Sequence, residues 1–552
     1  MTPVPPALAT AILLLAALLQ QSHAPAPAST QFRITGTVVN ALEGTPIPNA
    51  EVSIARMGSE DQEVGVIAGD DGRFAFLISS PGKYSLTARH SGFAKQAYLQ
   101  HGNFASAIAV GANLDSENIV LRILPDASIS GQVFDEQGDP VRGSQVMLFS
   151  QDTTSGKKEI AQSSQASADD EGRYHFAHLS LGIFYLAIAA HPWYAQNIQR
   201  YPSGTNGGPR GSVNNDEGAS LDVTYPITFY PDATDSSEAE AIALKPSDKF
   251  QADIHLSPVP ATHVLVTFPR GGSSPNHESF LGGASRTVFG TSKITVPTTA
   301  YSSSPGIVEI AGLAPAPYEL QYLVRAGKRM TAKSEEVNIA DGAELNLNVD
   351  PTGSRVGGVV RVESGAEMPG SISVMIRNVD SNEIRGTQVT PDGKFNFEHD
   401  AFAAGRYQLM SISDQSLVLR TVSATGARVS GEYLDVDSTN DVHLTIVMAH
   451  YVPTVDGVAL QDGKPVAGVM IVLVPQNPAD HQSMFCRDET NSDGSFSLAA
   501  VVPGKYTAIA IDDGWNIEWA NPSVLAKYLP GGTTVDVETE GKYNLHVKVQ
   551  QP

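Results

Sequence analysis

Ile34-Thr35-Gly36-Thr37-Val38, Gly44-Thr45-Pro46-Ile47-Pro48-Asn49-Ala50-Glu51-Val52, Asp70-Asp71-Gly72-Arg73-Phe74 and Pro81-Gly82-Lys83-Tyr84-Ser85-Leu86 follow one another early in the chain, and their reading decides the fold. Apolar residues alternate at Phe74/Phe76 and Tyr84/Leu86, the period of a strand with one buried face. Asp-Gly between such runs supplies the positive φ that tight hairpin turns need, and Pro-Gly before the Tyr strand is another turn signal.

The same order returns along the chain. A second copy has Ile129-Ser130-Gly131-Gln132-Val133, Gly138-Asp139-Pro140-Val141, Asp170-Glu171-Gly172-Arg173-Tyr174 and Gly182-Ile183-Phe184-Tyr185-Leu186. Another has Val356-Gly357-Gly358-Val359-Val360, Asp392-Gly393-Lys394-Phe395 and Gly405-Arg406-Tyr407-Gln408-Leu409. The last has Val455-Asp456-Gly457-Val458, Gly463-Lys464-Pro465-Val466, Asp493-Gly494-Ser495-Phe496 and Pro503-Gly504-Lys505-Tyr506. Positions 72 and 172, and again 393 and 494, set the repeat at one domain of about a hundred residues, longer than a solenoid repeat. A degenerate copy lies between, visible as Val264-Leu265-Val266 and Ala316-Pro317-Tyr318-Glu319-Leu320. Alternating strands such as Ile119/Leu121/Ile123 and Val442/Leu444/Ile446 close the units. The fold class expected is all-β: about five tandem Ig-like or prealbumin-like sandwiches behind a signal peptide. Their expected bounds are 29–124, 125–258 with a Gly/Asn-rich insertion at 203–220, 259–352, 353–450 and 451–552, joined by almost no linker and so forming a semi-rigid rod.

Length and composition agree with this division. The 552 residues exceed one core, and 49 glycines with 35 prolines suit strands and turns better than long helices. A net charge of −23 repels phosphate backbones and anionic lipid, so no nucleic acid is expected as a partner. The apolar run Ala7 to Leu19 is too short to span a bilayer and reads as a secretory h-region, with Ala26-Pro27-Ala28 before Ser29 as the small-x-small cleavage pattern. No Lys or Arg precedes Arg33, a departure from the usual positive n-region. Residues 1–28 are therefore expected to be removed and the chain exported to the periplasm, cell surface or exterior, with no transmembrane insertion. Cys486 is the only cysteine, which leaves neither a disulfide framework nor a lipid attachment point near the cleavage site.

The motif order V-x-G-x-V, G-x-P-[VI], D-G-x-[FY], G-x-Y-x-L resembles the carboxypeptidase regulatory-like domain. The resemblance implies a prealbumin-like seven-stranded sandwich related to carbohydrate-binding-like folds. It implies little about activity, because that sandwich is appended to peptidases, receptors, adhesins and polysaccharide-binding proteins alike. From the residues themselves no enzyme is expected. None of the fourteen histidines has Glu three positions later, and no nucleophile elbow or phosphate-binding loop occurs. Cys486, in Ser483-Met484-Phe485-Cys486-Arg487, reads as a strand residue. The Asp-rich turns lack the ligand spacing of a calcium loop. No cofactor and no metal are expected.

Three tryptophans remain. Trp193 and Trp515 fall nine residues after Phe184 and Tyr506, as Phe93 does after Tyr84, an equivalence that favours loop residues folded onto their own sandwich. Trp519 has no such equivalent, and with Tyr528 it is the candidate for an exposed platform. The segment from Asp512 and Asp513 through Trp515, Asn516 and Trp519 to Asn521 mixes flat apolar faces with hydrogen-bonding groups, as a sugar demands. Trp515, Trp519, Asp512, Asp513, Asn516 and Tyr528 are thus the candidate ligand-binding residues. The function expected is that of a non-catalytic extracellular spacer, adhesion or interaction scaffold. Polysaccharide binding is the alternative, with a polysaccharide or a cell-envelope protein as partner.

Overall fold

The computed structural model describes residues 31–552 except 60–61, 197–198, 201–220, 268–276, 297, 305–306, 327–328, 341–343, 347–352, 364–371, 380–383, 398–401, 411–416, 438–439, 450–452, 479–480, 482–483 and 539–540. The expected signal peptide and the 203–220 insertion lie outside the described residues. What is described is almost wholly strand, arranged as β-sandwiches. Among the described residues no helix is long and apolar enough to cross a membrane.

One pairing scheme recurs from unit to unit. In the first unit the opening strand Phe32–Asn40 pairs antiparallel with Arg73–Ile78 and parallel with the closing strand Ile119–Ile123. Ala127–Phe134, Thr262–Thr267, Val356–Val362 and Val455–Gln461 likewise sit between an antiparallel and a parallel neighbour. In the first four units a second sheet faces this one, running Val64–Ile67, Glu51–Arg56, Gly82–His90, Phe93–Ala97 in the first; in the fifth, Tyr543–Gln550 pairs with both layers and joins them in one eight-stranded sheet. The core fills the space between sheets, with Ile34, Val38, Val52, Leu86 and Leu121 at its centre in the first unit.

Motif glycines hold this geometry. A Cβ on Gly36 would meet the Ile119 carbonyl oxygen at 2.2 Å, on Gly131 that of Ala252 at 1.9 Å, and on Gly358 that of Leu444 at 2.0 Å. The central glycine of V-x-G-x-V is what lets the closing strand lie against the opening one. Gly72 has φ +72° and its carbonyl accepts from Val38 N–H at 2.9 Å, as Gly172 does from Val133 and Gly393 from Val360. The positive φ is as expected, but the turn is not a hairpin. Val64–Ile67 and Arg73–Ile78 belong to different sheets, so the Asp-Gly turn carries the chain across the sandwich. Its aspartates serve the turn: Asp71 accepts from Arg73 N–H, and Asp169 from those of Glu171 and Arg173.

The tyrosine of G-x-Y is buried in every unit that has it and anchors itself identically. Tyr84, Tyr318 and Tyr407 donate to the carbonyls of Ser80, Ala314 and Ala403, four residues upstream, at 2.9, 3.0 and 3.0 Å; Tyr506 donates to Val502. Tyr318 brings the degenerate third unit into the same register. Phe184 fills the position in the second unit, buried but without a hydroxyl.

A serial rod is not what the units form. The second sheet of unit two is apolar on both faces, and its outer residues Met147, Phe149, Ala187 and Phe229 pack with Val288 and Ile294 of unit three. Unit five, at the end of the chain, returns to contact units one and two. Short linkers constrain neighbours in sequence but do not stop the fifth unit from folding back, and its surface carries the groups that bind it there.

Candidate functional site

Met470–Pro475 reads as an unbroken apolar run, and so does Ala508 to Ile511 at the end of the strand Gly504–Ile511; Met470 to Val474 and Ala508 to Ile511 are all buried. A sheet of this kind needs cover on both faces. Beyond Ile511 the chain doubles back at Asp513, φ +51°, and lays residues 512–531 over the outer face, where Trp519, Ala520, Leu525 and Tyr528 bury against Met470, Val472 and Ile509. Asn521 caps the short helix Pro522–Leu525 through Ser523 N–H and donates to Glu518.

This layer contains all six candidate ligand residues, and it does not offer them as one open platform. Trp519 is 8% exposed and Tyr528 3%, which corrects the expectation of exposed rings. The sheet beneath is apolar on its outer side, so it draws these rings inward. Trp519 Nε1–H donates to the Thr153 carbonyl of unit two at 3.0 Å. Trp515 Nε1–H donates to Gly468 O at 3.1 Å, and its face is covered by His101 of unit one, with ring centroids 3.6 Å apart and planes 4° from parallel. Asp512 accepts from Gln551 at 3.3 Å. Asp513 and Asn516 are exposed.

What these groups bind is the chain itself. Against unit two, Ala520 N–H donates to Gly156 O at 2.9 Å and Glu518 accepts from Lys158 N–H at 3.0 Å. That N–H, with the Asn521 amide, holds the Glu518 carboxyl below its ordinary range. Against unit one, His101 Nδ1 lies 3.0 Å from the buried Glu489 carboxylate, which also accepts from Arg487 at 3.0 Å. Arg487 stacks over Phe104 at 3.9 Å, and desolvation lowers its pKa. Ser106 donates to Thr490 O at 2.8 Å, Ala107 N–H to Asn491 Oδ1 at 3.1 Å, and Ser492 N–H to Ala107 O at 2.9 Å. Through Trp515, Glu518, Trp519 and Ala520 the Asp512 to Asn521 segment is thus directed at two other units of the chain.

A second buried polar cluster pins units two and three. His263 is fully buried, with Nδ1 2.8 Å from Glu309 and Nε2 2.7 Å from Asp222; Arg200 donates to Asp222 at 2.7 Å and its backbone N–H to Glu309 at 2.7 Å. Arg200 and the His263 ring, set between the same two carboxylates, tie the two units together through buried polar contacts. Among the described residues no group of three or more His, Cys, Asp or Glu is placed to hold a metal ion.

Trp193 departs from its proposed equivalents. Phe93 is half-buried and Trp515 covered, whereas Trp193 is 87% exposed, edge-on to Tyr194. Tyr194 and Tyr225 both donate to Glu136, at 2.5 and 3.0 Å. Cys486 lies in the strand Cys486–Glu489, where burial pushes its thiol up to about 11.

The interunit contacts were missed by motif reading, but two signals for them stood in the sequence. Val146-Met147-Leu148-Phe149 and Met470-Ile471-Val472-Leu473-Val474 break the alternation of Glu51-Val52-Ser53-Ile54, and both mark sheets buried on two sides.

Residues 33–117, within the first unit, match the model of the carboxypeptidase regulatory-like domain. No curated protein matches. Among solved structures the chain is similar to GBS52, the minor pilin of Streptococcus agalactiae, at 13% identity and a TM-score of 0.20, over 44% of this chain and 99% of that one. It is similar to the Bacillus anthracis TIE protein at 10% identity and 0.16, over 98% and 78%. It is similar to the shaft pilin SpaA of Lactobacillus rhamnosus GG at 7% identity and 0.19, over 42% and 98%.

Proposed function

We propose that the chain is an exported, non-catalytic interaction scaffold whose sandwiches are held together as one body by the return of unit five to units one and two. One observation carries this: the segment richest in recognition chemistry, Asp512 to Asn521, is engaged with His101, Thr153 and Gly156 of the same chain. Export rests on the apolar run Ala7 to Leu19. Cell-envelope proteins are the partner class in keeping with an exported scaffold.

Small-angle scattering of the chain from Ser29 tests the arrangement. The expected distance distribution is that of a folded-back body, and deleting 451–552 should leave a longer, looser particle. A distribution typical of five sandwiches in line would overturn the reading, as would turnover of any substrate in a hydrolase and lyase panel. Polysaccharide binding is kept as a second reading by Trp193, whose open indole beside Tyr194 suits the C–H face of a sugar ring. Under that reading Trp193→Ala abolishes retention on an immobilised polysaccharide and leaves the melting midpoint unchanged.

A further inference from the structure

The equivalent edge strand of the second layer can be compared across the units. It is Val64–Ile67, Glu159–Ser167, Ser292–Val296, Ile384–Gln388 and Cys486–Glu489 in chain order, each terminal in its sheet. A free edge presents unpaired N–H and C=O groups to any extended chain, and proteins blunt such edges with charges or cover them. Four of these five carry a charge within the strand: Glu159, Lys293, Arg385 and the run Arg487-Asp488-Glu489. Three of the four are covered as well, since Ser292 donates to Ile160 O at 2.6 Å and so joins the edges of units two and three, and Glu489 with Arg487 meets His101 and Phe104.

Val64-Gly65-Val66-Ile67 has neither protection. It contains no charge, and Val64 is 56% and Ile67 62% exposed. Met57, just past the neighbouring strand, and Leu77, on the edge strand of the facing sheet, are also exposed. Eight of the twelve exposed large apolar side chains among the described residues lie in unit one, so this is where the molecule leaves apolar surface uncovered.

The ends of the strand decide between occupants. Glu63 precedes it and Asp70 and Asp71 follow it, all exposed; Arg73 lies 3.5 Å from Asp71, and Arg89, paired with Glu51, also attracts Glu63, which leaves the strand ends acidic. Two copies pairing edge to edge in antiparallel fashion would bring Glu63 of each to the end of the strand where Asp70 and Asp71 of the other lie, in a chain of net charge −23. We propose that the Val64–Ile67 edge is a strand-addition site for an extended segment of a partner protein, rich in β-branched residues and carrying Lys or Arg at its ends.

The test uses the full chain from Ser29 and the capped peptide Lys-Val-Thr-Val-Thr-Val-Lys, with its Glu-ended counterpart. The Lys-ended peptide is expected to slow hydrogen exchange at amides 64–67 and leave the other edges as they were, and the Glu-ended one to bind about tenfold or more weakly. Ile67→Lys and Val64→Lys should each remove the slowing with the melting midpoint unchanged, since both side chains are exposed. No slowing in the parent, equal slowing in either variant, or equal binding of the Glu-ended peptide overturns the proposal. Sedimentation supplies the remaining outcome: a dimer of the parent that Ile67→Lys abolishes would assign the edge to a second copy and overturn the heterologous partner.

Discussion

Gly156→Ala isolates the contact between units five and two. Gly156 has φ +84°, and a Cβ there would lie 2.3 Å from Ala520 Cβ and 2.9 Å from Ala520 N. Ordinary carbon contacts are ~3.5–4.0 Å, so Ala520 must retreat by more than about 1 Å. That carries Ala520 N–H, now 2.9 Å from Gly156 O, out of hydrogen-bonding range, and strains the neighbouring bonds from Trp519 to Thr153 and from Lys158 to Glu518. Each such bond is worth ~0.5–1.5 kcal/mol net, and overpacking costs ~1–3 kcal/mol, so the docked state should lose roughly 3 kcal/mol, about a hundredfold in the docking equilibrium. Left-handed φ also penalises Ala by ~1–2 kcal/mol whether or not the units touch. Gly138→Ala controls for that term, because Gly138 has φ +85° in the same unit and nothing within 4 Å of its Cβ position. Hydrogen exchange at 153–158 and 518–521 reads the contact. Faster exchange in Gly156→Ala but not in Gly138→Ala is expected; parent-like exchange in both, or equal acceleration in both, refutes the docking geometry.

Acid should loosen the same contact. Glu518 is held below its usual range by Lys158 N–H in the docked state, so its contribution is present above the ordinary glutamate value of ~4.3 and is lost as pH falls through the depressed one; exchange at 153–158 should accelerate below about pH 4, and Glu518→Gln should remove the pH-dependent part. Tyr407→Phe deletes the donor to Ala403 O while keeping the buried ring, and should cost ~1 kcal/mol, a fall of ~4–8 °C in the midpoint of an isolated unit of this size. An unchanged midpoint would make that repeated bond incidental to stability. Cys486, its thiol pushed up to about 11 by burial, should react with a disulfide reagent at pH 8 about a hundredfold more slowly in the native chain than in denaturant; equal rates would place the thiol outside the core.

How much of this was legible follows from the range over which each signal acts. The alternation at Phe74/Phe76 and the glycines at 36 and 72 report on their own strand and turn, so the sandwich could be read from a few residues at a time. The direction of the Asp-Gly turn could not, because positive φ at Gly72 serves a hairpin and a crossing between sheets equally well. The aromatic segment was legible in its chemistry but not in its object: Trp515 meets His101, and Trp519 meets Thr153, hundreds of positions away, and no local pattern distinguishes an indole waiting for a sugar from one already covered. Trp193 shows the same limit from the other side. Its spacing from Phe184 matches that of Trp515 from Tyr506, yet the two indoles differ because their sheets do. The outer face of unit five is free for the 512–531 layer, and Trp515 is drawn down with it. The corresponding face of unit two is taken by Val288 and Ile294 of unit three, which leaves Trp193 no apolar surface to fold onto and sets it in water. Which units cover which sheets therefore decides which aromatic rings remain open to a partner, and that is settled by contacts between domains and not by the repeat within them.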